Sequence, residues 1–248
     1  GVRLAIDVLS EPGPVVTPTP CYPPMLQIGA VTGRQQVNVP IDPDAAVASL
    51  DLDGIERELA GGARTVILIN PHNPWGRVFT RTELEALRDL VTAYGARVVA
   101  DEIHAPLVLP GAAHVPYLSL PGTADHAVAV VAASKAFNTA GLRCAQVVTG
   151  DDATRARLAD VELPRNDSWS PLGVIAAEVA SSEGDEWLAA LIARLADLRT
   201  HFEQLLAEFL PEARARSLEA TYLAWLDLRA YGHDDPAAVA LERGRVQL

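Results

Sequence analysis

The chain has 248 residues and carries 20 basic against 32 acidic side chains, a formal net charge of −12. Nucleic acid and anionic membrane surfaces are met by clustered Lys and Arg, so this balance argues against both partners and favours a small-molecule substrate. The length is enough for one large domain or two small ones around a substantial core.

Two cysteines, Cys21 and Cys144, lie far apart, with no CxxC pair and no spacing of a zinc site or disulfide framework. A reducing cytoplasm is the expected location. No apolar run approaches the roughly 18 to 20 residues that cross a bilayer, the longest being residues 127–133. The chain opens on Gly1 and the amphipathic stretch 2–6 without Met, signal peptide or helix cap, and it stops at 243–248 in what reads as the start of a strand. Both ends read as those of a piece of a longer protein.

Taken in order, residues 65–69 (TVILI) read as a buried strand. Thr80 can cap a helix with Glu83 three residues on; Leu84, Leu87, Val91 and Tyr94 then share one face, and Gly95 ends it. Residues 97–100, 127–132 and 145–149 are three further short strands, each followed by polar or glycine-rich residues. This alternation is the signature of a parallel sheet covered by helices, an α/β fold, in which ligands collect at the carboxyl ends of the strands. Residues 70–76, 101–104 and 134–143 fall at such ends.

After Pro164 the pattern changes. A helix near 172–180 precedes a longer one near 186–210, whose stripe of Trp187, Leu191, Leu195, Leu198, Phe202, Leu205 and Phe209 is expected in the core. Residues 221–228 alternate as a half-buried strand, with Tyr222, Ala224, Leu226 and Leu228 on one face. The chain therefore divides into a large domain at 1–164 and connecting helices with part of a smaller domain at 165–248.

Each candidate site residue has a plain structural reading. Asn70 to Gly76 is rich in turn formers, Asp101 to His104 could be an acidic strand end or a metal-binding pair without a second His at ligand spacing, and Lys135 could be a surface lysine. Their order and spacing point elsewhere: Asn73, Asp101, Lys135 and Arg143 each follow a predicted strand, so all four can meet in one crevice. These are the groups that a pyridoxal phosphate (PLP) cofactor requires. Lys135 would form the Schiff base, and Asp101 would face the ring nitrogen and keep it protonated so that the ring can absorb electrons. Asn73 and His104 are candidate partners of the phenolate oxygen, while Arg143 and Ser134 suit the phosphate. Tyr22, beyond a strand, could stack on the ring, although a core or turn aromatic reads equally well.

The motifs Thr19-Pro20-Cys21-Tyr22-Pro23-Pro24, Asn70-Pro71-His72-Asn73-Pro74-Trp75-Gly76-Arg77-Val78, Asp101-Glu102-Ile103-His104 and Ser134-Lys135-Ala136-Phe137-Asn138 through Arg143 resemble the fold-type I aminotransferase superfamily, class I/II. Within it the chain is most similar to the MalY/PatB-type cystathionine β-lyases, or carbon-sulfur lyases. The similarity extends over Ser170-Pro171-Leu172-Gly173 and residues 219–227.

The resemblance implies a mainly parallel seven-stranded sheet with helices on both faces and part of a smaller α+β C-terminal domain. It also implies PLP as cofactor, a homodimer, and the roles given above for Tyr22, Asn73, Asp101, Lys135 and Arg143. The implied reaction cleaves cystathionine or a related L-cysteine S-conjugate to a thiol, pyruvate and ammonia. Aminotransferase chemistry, or a catalytically weak PLP-fold regulatory protein, are the alternatives. Relatives carry further segments before residue 1 and after Leu248, the latter with an arginine for the substrate carboxylate. Ala132 stands where many place a phosphate-binding Ser, and Trp75 stands where a small residue is common, so a narrower pocket is expected.

Overall fold

The computed structural model describes residues 1–162 and 169–247. In chain order its elements are α1 (Val2–Leu9), β1 (Val15–Thr19), α2 (Ile28–Val31), β2 (Gln36–Pro40), α3 (Leu52–Ala60), β3 (Thr65–Ile69), α4 (Arg81–Ala93), β4 (Arg97–Asp101), β5 (Ala127–Val131), β6 (Gln146–Thr149), α5 (Asp152–Ala159), α6 (Pro171–Glu183), α7 (Asp185–Phe209), β7 (Arg214–Ala215), β8 (Leu226–Asp227) and α8 (Pro236–Gly244).

Alternation within the strands builds the layers. β3 is buried at every position, and the period of two sends Val66 and Leu68 to one face and Ile67 and Ile69 to the other. The first face joins Val98, Ala100 and Ala129 to Ile55 and Leu59 of α3 and Leu84, Leu87 and Val91 of α4. The second joins Val99, Val128 and Val130 to Ala5, Ile6 and Leu9 of α1. Helices therefore cover both faces of one sheet, as expected.

α4 forms as its sequence directs. Thr80 and Glu83 make a complete capping box, and beyond the last turn Gly95 takes a left-handed φ of 60°.

The sheet runs β2-β1-β3-β4-β5-β6, so the described residues contribute six strands where seven were expected. Its first five strands are parallel to their neighbours, and β6 runs antiparallel to β5. A separate two-stranded sheet pairs β7 with β8. Among the described residues no helix is long and apolar enough to cross a membrane.

Three expectations change beyond residue 164. The stripe of α7 is not core: no residue of that helix is buried, with Trp187 58% and Phe209 65% exposed. Helical periodicity identifies the apolar face but not what covers it, and α6 is the main element α7 packs against. The strand expected at 221–228 shrinks to Leu226–Asp227, and Thr221, at its expected start, adopts a φ of 70°, which an extended strand cannot contain. Residues 243–247 do not begin a strand: Arg243 and Gly244 close α8, and Arg245 turns left-handed after it. The expected domain boundary at 164 and 165 lies outside the described residues.

Replacing Thr80 by Ala removes the acceptor for the Glu83 N–H and should cost about 1 kcal/mol. Leu87→Ala, in the fully buried face of α4, should cost about 2–5 kcal/mol. Urea unfolding of both variants checks the ranking, and a Thr80 change as costly as the Leu87 change would contradict it.

Candidate active site

The parallel register places the ends of β3, β4 and β5 side by side, with Ile69 opposite Asp101 and Asp101 opposite Val130. Asp101 thus closes a strand hemmed in by two neighbours and is only 5% exposed. Its Oδ1 accepts the Ile103 N–H at 3.3 Å. Burial pushes the Asp101 carboxyl up to about 6, the Ile103 N–H acting in the opposite direction.

Lys135 lies just beyond β5. Its Nζ stands 5.9 Å from the centre of the Tyr22 ring, which follows β1 and opens the short turn Pro23–Gln27. Asp101, Lys135, Tyr22, Ser134 and Arg143 all line one cleft of about 730 Å³. Ala132, Cys144 and Gln146 share that lining.

Arg143 reaches the cleft by a route the sequence did not indicate. It lies at the far end of the segment that leaves β5, just before β6, and it stays at the carboxyl edge because β6 runs antiparallel to β5, with Val131 opposite Gln146. Its backbone is left-handed, φ 50° and ψ 70°.

Two predicted residues stand outside this lining. Asn73 is half-buried between Pro71 and Pro74, each preceded by a cis peptide bond. His104 is buried, edge-on to Tyr222 at 6.1 Å, and neither ring nitrogen has a hydrogen-bond partner among the described residues. Burial and the positive charge of Lys135 push its imidazole down to about 4, so it is neutral near pH 7.

Trp75 does not narrow the cleft. It packs on Ile41 and Ala48, meets Trp225 edge-on at 5.9 Å, and carries the Arg216 guanidinium 3.9 Å above its ring. These contacts turn it into a second cavity of about 710 Å³ between the 43–46 loop and the β7–β8 sheet. Tertiary packing gives this large aromatic a berth outside the cleft, so the narrowing expected from its place in the loop does not occur.

Sequence reasoning missed a polar support behind the site. Glu102 is 4% exposed; its Oε1 accepts the Tyr117 N–H at 2.7 Å and its Oε2 lies 3.6 Å from His114 Nε2. Asn70 is fully buried, and its Oδ1 accepts the Phe79 N–H at 3.0 Å. A polar residue inside an apolar strand end is the signal that marks such supports. Composition held another signal: Lys135 is the only lysine in the chain.

The fit to a planar, phosphorylated pyridine aldehyde rests on this geometry. One cleft offers an amine, a desolvated carboxylate, an aromatic face and a guanidinium, and the buried imidazole of His104, without a hydrogen-bond partner among the described residues, feels the charge of that amine.

The family model for aminotransferase class I and II matches residues 1–247. The chain belongs to that family. It is 36% identical to the cystathionine beta-lyase of Corynebacterium glutamicum over 100% of its own length and 66% of that relative. It is 35% identical to the cystathionine beta-lyase PatB of Bacillus subtilis, over 100% of the chain and 65% of the relative. Among solved structures, cystalysin from Treponema denticola, which contains a pyridoxal 5'-phosphate cofactor, superposes with a TM-score of 0.91 at 26% identity, covering 99% of this chain and 64% of that one. The fold is thus that of the fold-type I PLP-dependent enzymes, α/β with a mostly parallel sheet. The chain spans about two thirds of the length of these relatives.

The raised carboxyl of Asp101 has a sign that can be tested without any ligand. Its protonated form favours the fold, a contribution fully present below the ordinary value of 3.8 and lost as pH rises through about 6. Between about pH 5 and pH 8 the stability of Asp101→Asn should therefore rise relative to the unsubstituted protein by about 1 to 1.5 kcal/mol, one pH unit of linkage. Urea unfolding at the two pH values measures this, and a constant difference would mean that the carboxylate is solvated.

Proposed function

We propose that this chain is the larger part of a PLP-dependent carbon-sulfur β-lyase that cleaves cystathionine or a related L-cysteine S-conjugate to a thiol, pyruvate and ammonia. The observation that carries the reading is the meeting of Asp101 and Lys135, two residues from separate strand ends, in one cleft. The family and the printed activities of its relatives support the reaction class.

Lys135 would hold the cofactor through its amine, Asp101 would face the ring nitrogen, and Tyr22 would cover the ring. Asn73 and His104 would serve the phenolate oxygen, and Arg143 with Ser134 the phosphate. When bound, PLP supplies an electron sink for the pair left behind as the substrate loses its α-proton.

The protein's residues do the rest. Once the substrate amine has displaced it from the cofactor, the freed Lys135 Nζ would take the proton from the substrate α-carbon. Asp101 is costly to ionise where it stands, and a cationic N–H placed opposite it lowers that cost, so the buried carboxylate selects a protonated ring nitrogen. His104 stays neutral and offers a ring N–H as donor. Arg143 gives a phosphate a permanently charged, forked partner.

Three further elements belong to the same proposal. The division into a domain at 1–164 and a second part from 165 is supported by the separate β7–β8 sheet. A homodimer is supported by the apolar side chains that α6 leaves exposed, Leu172, Ile175 and Val179. A cytoplasmic place is supported by two free thiols, Cys21 and Cys144.

Incubation with cystathionine and PLP should release pyruvate, and Lys135→Ala should lower the rate by at least about 10² to 10⁴-fold. Borohydride should fix the cofactor on the peptide that contains Lys135, the one lysine of this chain, which mass spectrometry reads. Pyruvate at the level of the Lys135→Ala variant would overturn the lyase assignment. Conversion of the amino acid to its own 2-oxo acid with no thiol released would assign transamination instead.

A further inference from the structure

The loop that carries Lys135 and Arg143 holds two residues in a conformation that side chains with a Cβ avoid. Asn138 has φ 53° and Arg143 has φ 50°. Such backbone persists only where its surroundings over-determine it. Arg143 is exposed, and among the described residues its guanidinium makes no hydrogen bond to the protein, so nothing at the tip of the side chain fixes its place. The restraint has to act on the backbone.

It comes from α6 and α7. Ser170 Oγ donates to the Leu142 carbonyl at 2.6 Å, and the Ser170 N–H donates to the Arg143 carbonyl at 3.3 Å. The same hydroxyl oxygen accepts the Gly173 N–H at 2.9 Å and so caps α6. Gly173 permits this approach, since a Cβ there would lie 2.3 Å from the Leu142 oxygen. Further back along the loop, Trp187 Nε1 donates to the Ala136 carbonyl at 3.1 Å. The carbonyls of Ala136, Leu142 and Arg143 are thus tied to a helical pair that lies outside the sheet.

We propose that Ser170 is a positioning residue for the phosphate end of the cofactor site: its hydroxyl holds the Leu142 carbonyl and thereby the left-handed turn that aims Arg143 into the cleft. The inference rests on the assignment of Arg143 to the phosphate. Ser170 itself does not line the cleft, and its effect passes through the backbone of residues 142–143. Removal of the hydroxyl frees that turn and disperses the guanidinium, while the amine of Lys135 and the carboxylate of Asp101 stay where they are.

Two ligands separate this role from mere stabilisation of α6: PLP, and pyridoxal, which lacks the phosphate. The protein freed of cofactor is titrated with each, and the preference for PLP is read as the ratio of the two dissociation constants. Ser170→Ala should lower that preference at least about tenfold, equivalent to about 1.4 kcal/mol, by weakening PLP and leaving pyridoxal unchanged. Ser170→Thr, which retains a hydroxyl, should keep it. In an Arg143→Ala background Ser170→Ala should have no further effect on the ratio, because the group it positions is gone.

Gly173→Ala displaces Leu142 while leaving Ser170 in place, and it should lower the same ratio; it carries the test if Ser170→Ala does not fold. An unchanged ratio in Ser170→Ala, or an equal loss with both ligands, would reduce Ser170 to a helix cap and overturn the inference. Failure of the unsubstituted protein to take up either ligand is a different result and would overturn the cofactor assignment itself.

Discussion

A carboxylate withheld from water at the end of a central strand is the constraint around which this molecule is arranged. Asp101 stands between the ends of β3 and β5, and parallel neighbours on both sides leave it little solvent. Its burial raises the cost of its charge, and that cost is what makes the position selective for a cationic partner. An exposed aspartate at the same place would hold the same charge with no such preference. The loops that end at Tyr22 and Lys135 then set the boundaries of the space in front of it.

The antiparallel β6 is what completes the cleft. Were it parallel to β5, the residues before it would lie at the opposite edge of the sheet, and Arg143 would be about a strand's length from Asp101. Because it runs back along β5, the segment from Lys135 to Arg143 can leave one strand and enter the next at the same edge. Along that segment the backbone is left-handed at Asn138 and Arg143, and Ser170 and Trp187 hydrogen-bond its carbonyls from outside. The helices beyond residue 170 are thereby part of the site even though most of their side chains do not face it.

Much of the six-stranded sheet and the helices on it was legible from sequence. β3, α4, β4 and β5 lie within a residue or so of their expected bounds, and the Thr80 and Glu83 box is complete. Buried parallel strands carry an unbroken apolar run, and a capped amphipathic helix repeats its pattern over several turns, so the signal is strong in both. Beyond residue 170 the reading failed where a pattern had to be completed by a partner. The stripe on α7 is real but no residue of that helix is buried, and of the alternation expected at 221–228 only Leu226–Asp227 finds a partner strand.

Within the site the same division holds. The chemical identity of the groups, an amine at 135, a carboxylate at 101, an aromatic at 22 and a guanidinium at 143, was written in the residues and their spacing. Strand direction, solvent exclusion and the choice of cavity for Trp75 were not, since each is decided by residues far apart in the chain: Gln146 against Val131, Asp101 against Val130, Arg216 over the Trp75 ring. Periodicity and capping act across a few neighbouring residues and so can be read along a line. Burial and register are sums over the whole packed molecule, and only the tertiary structure decided them.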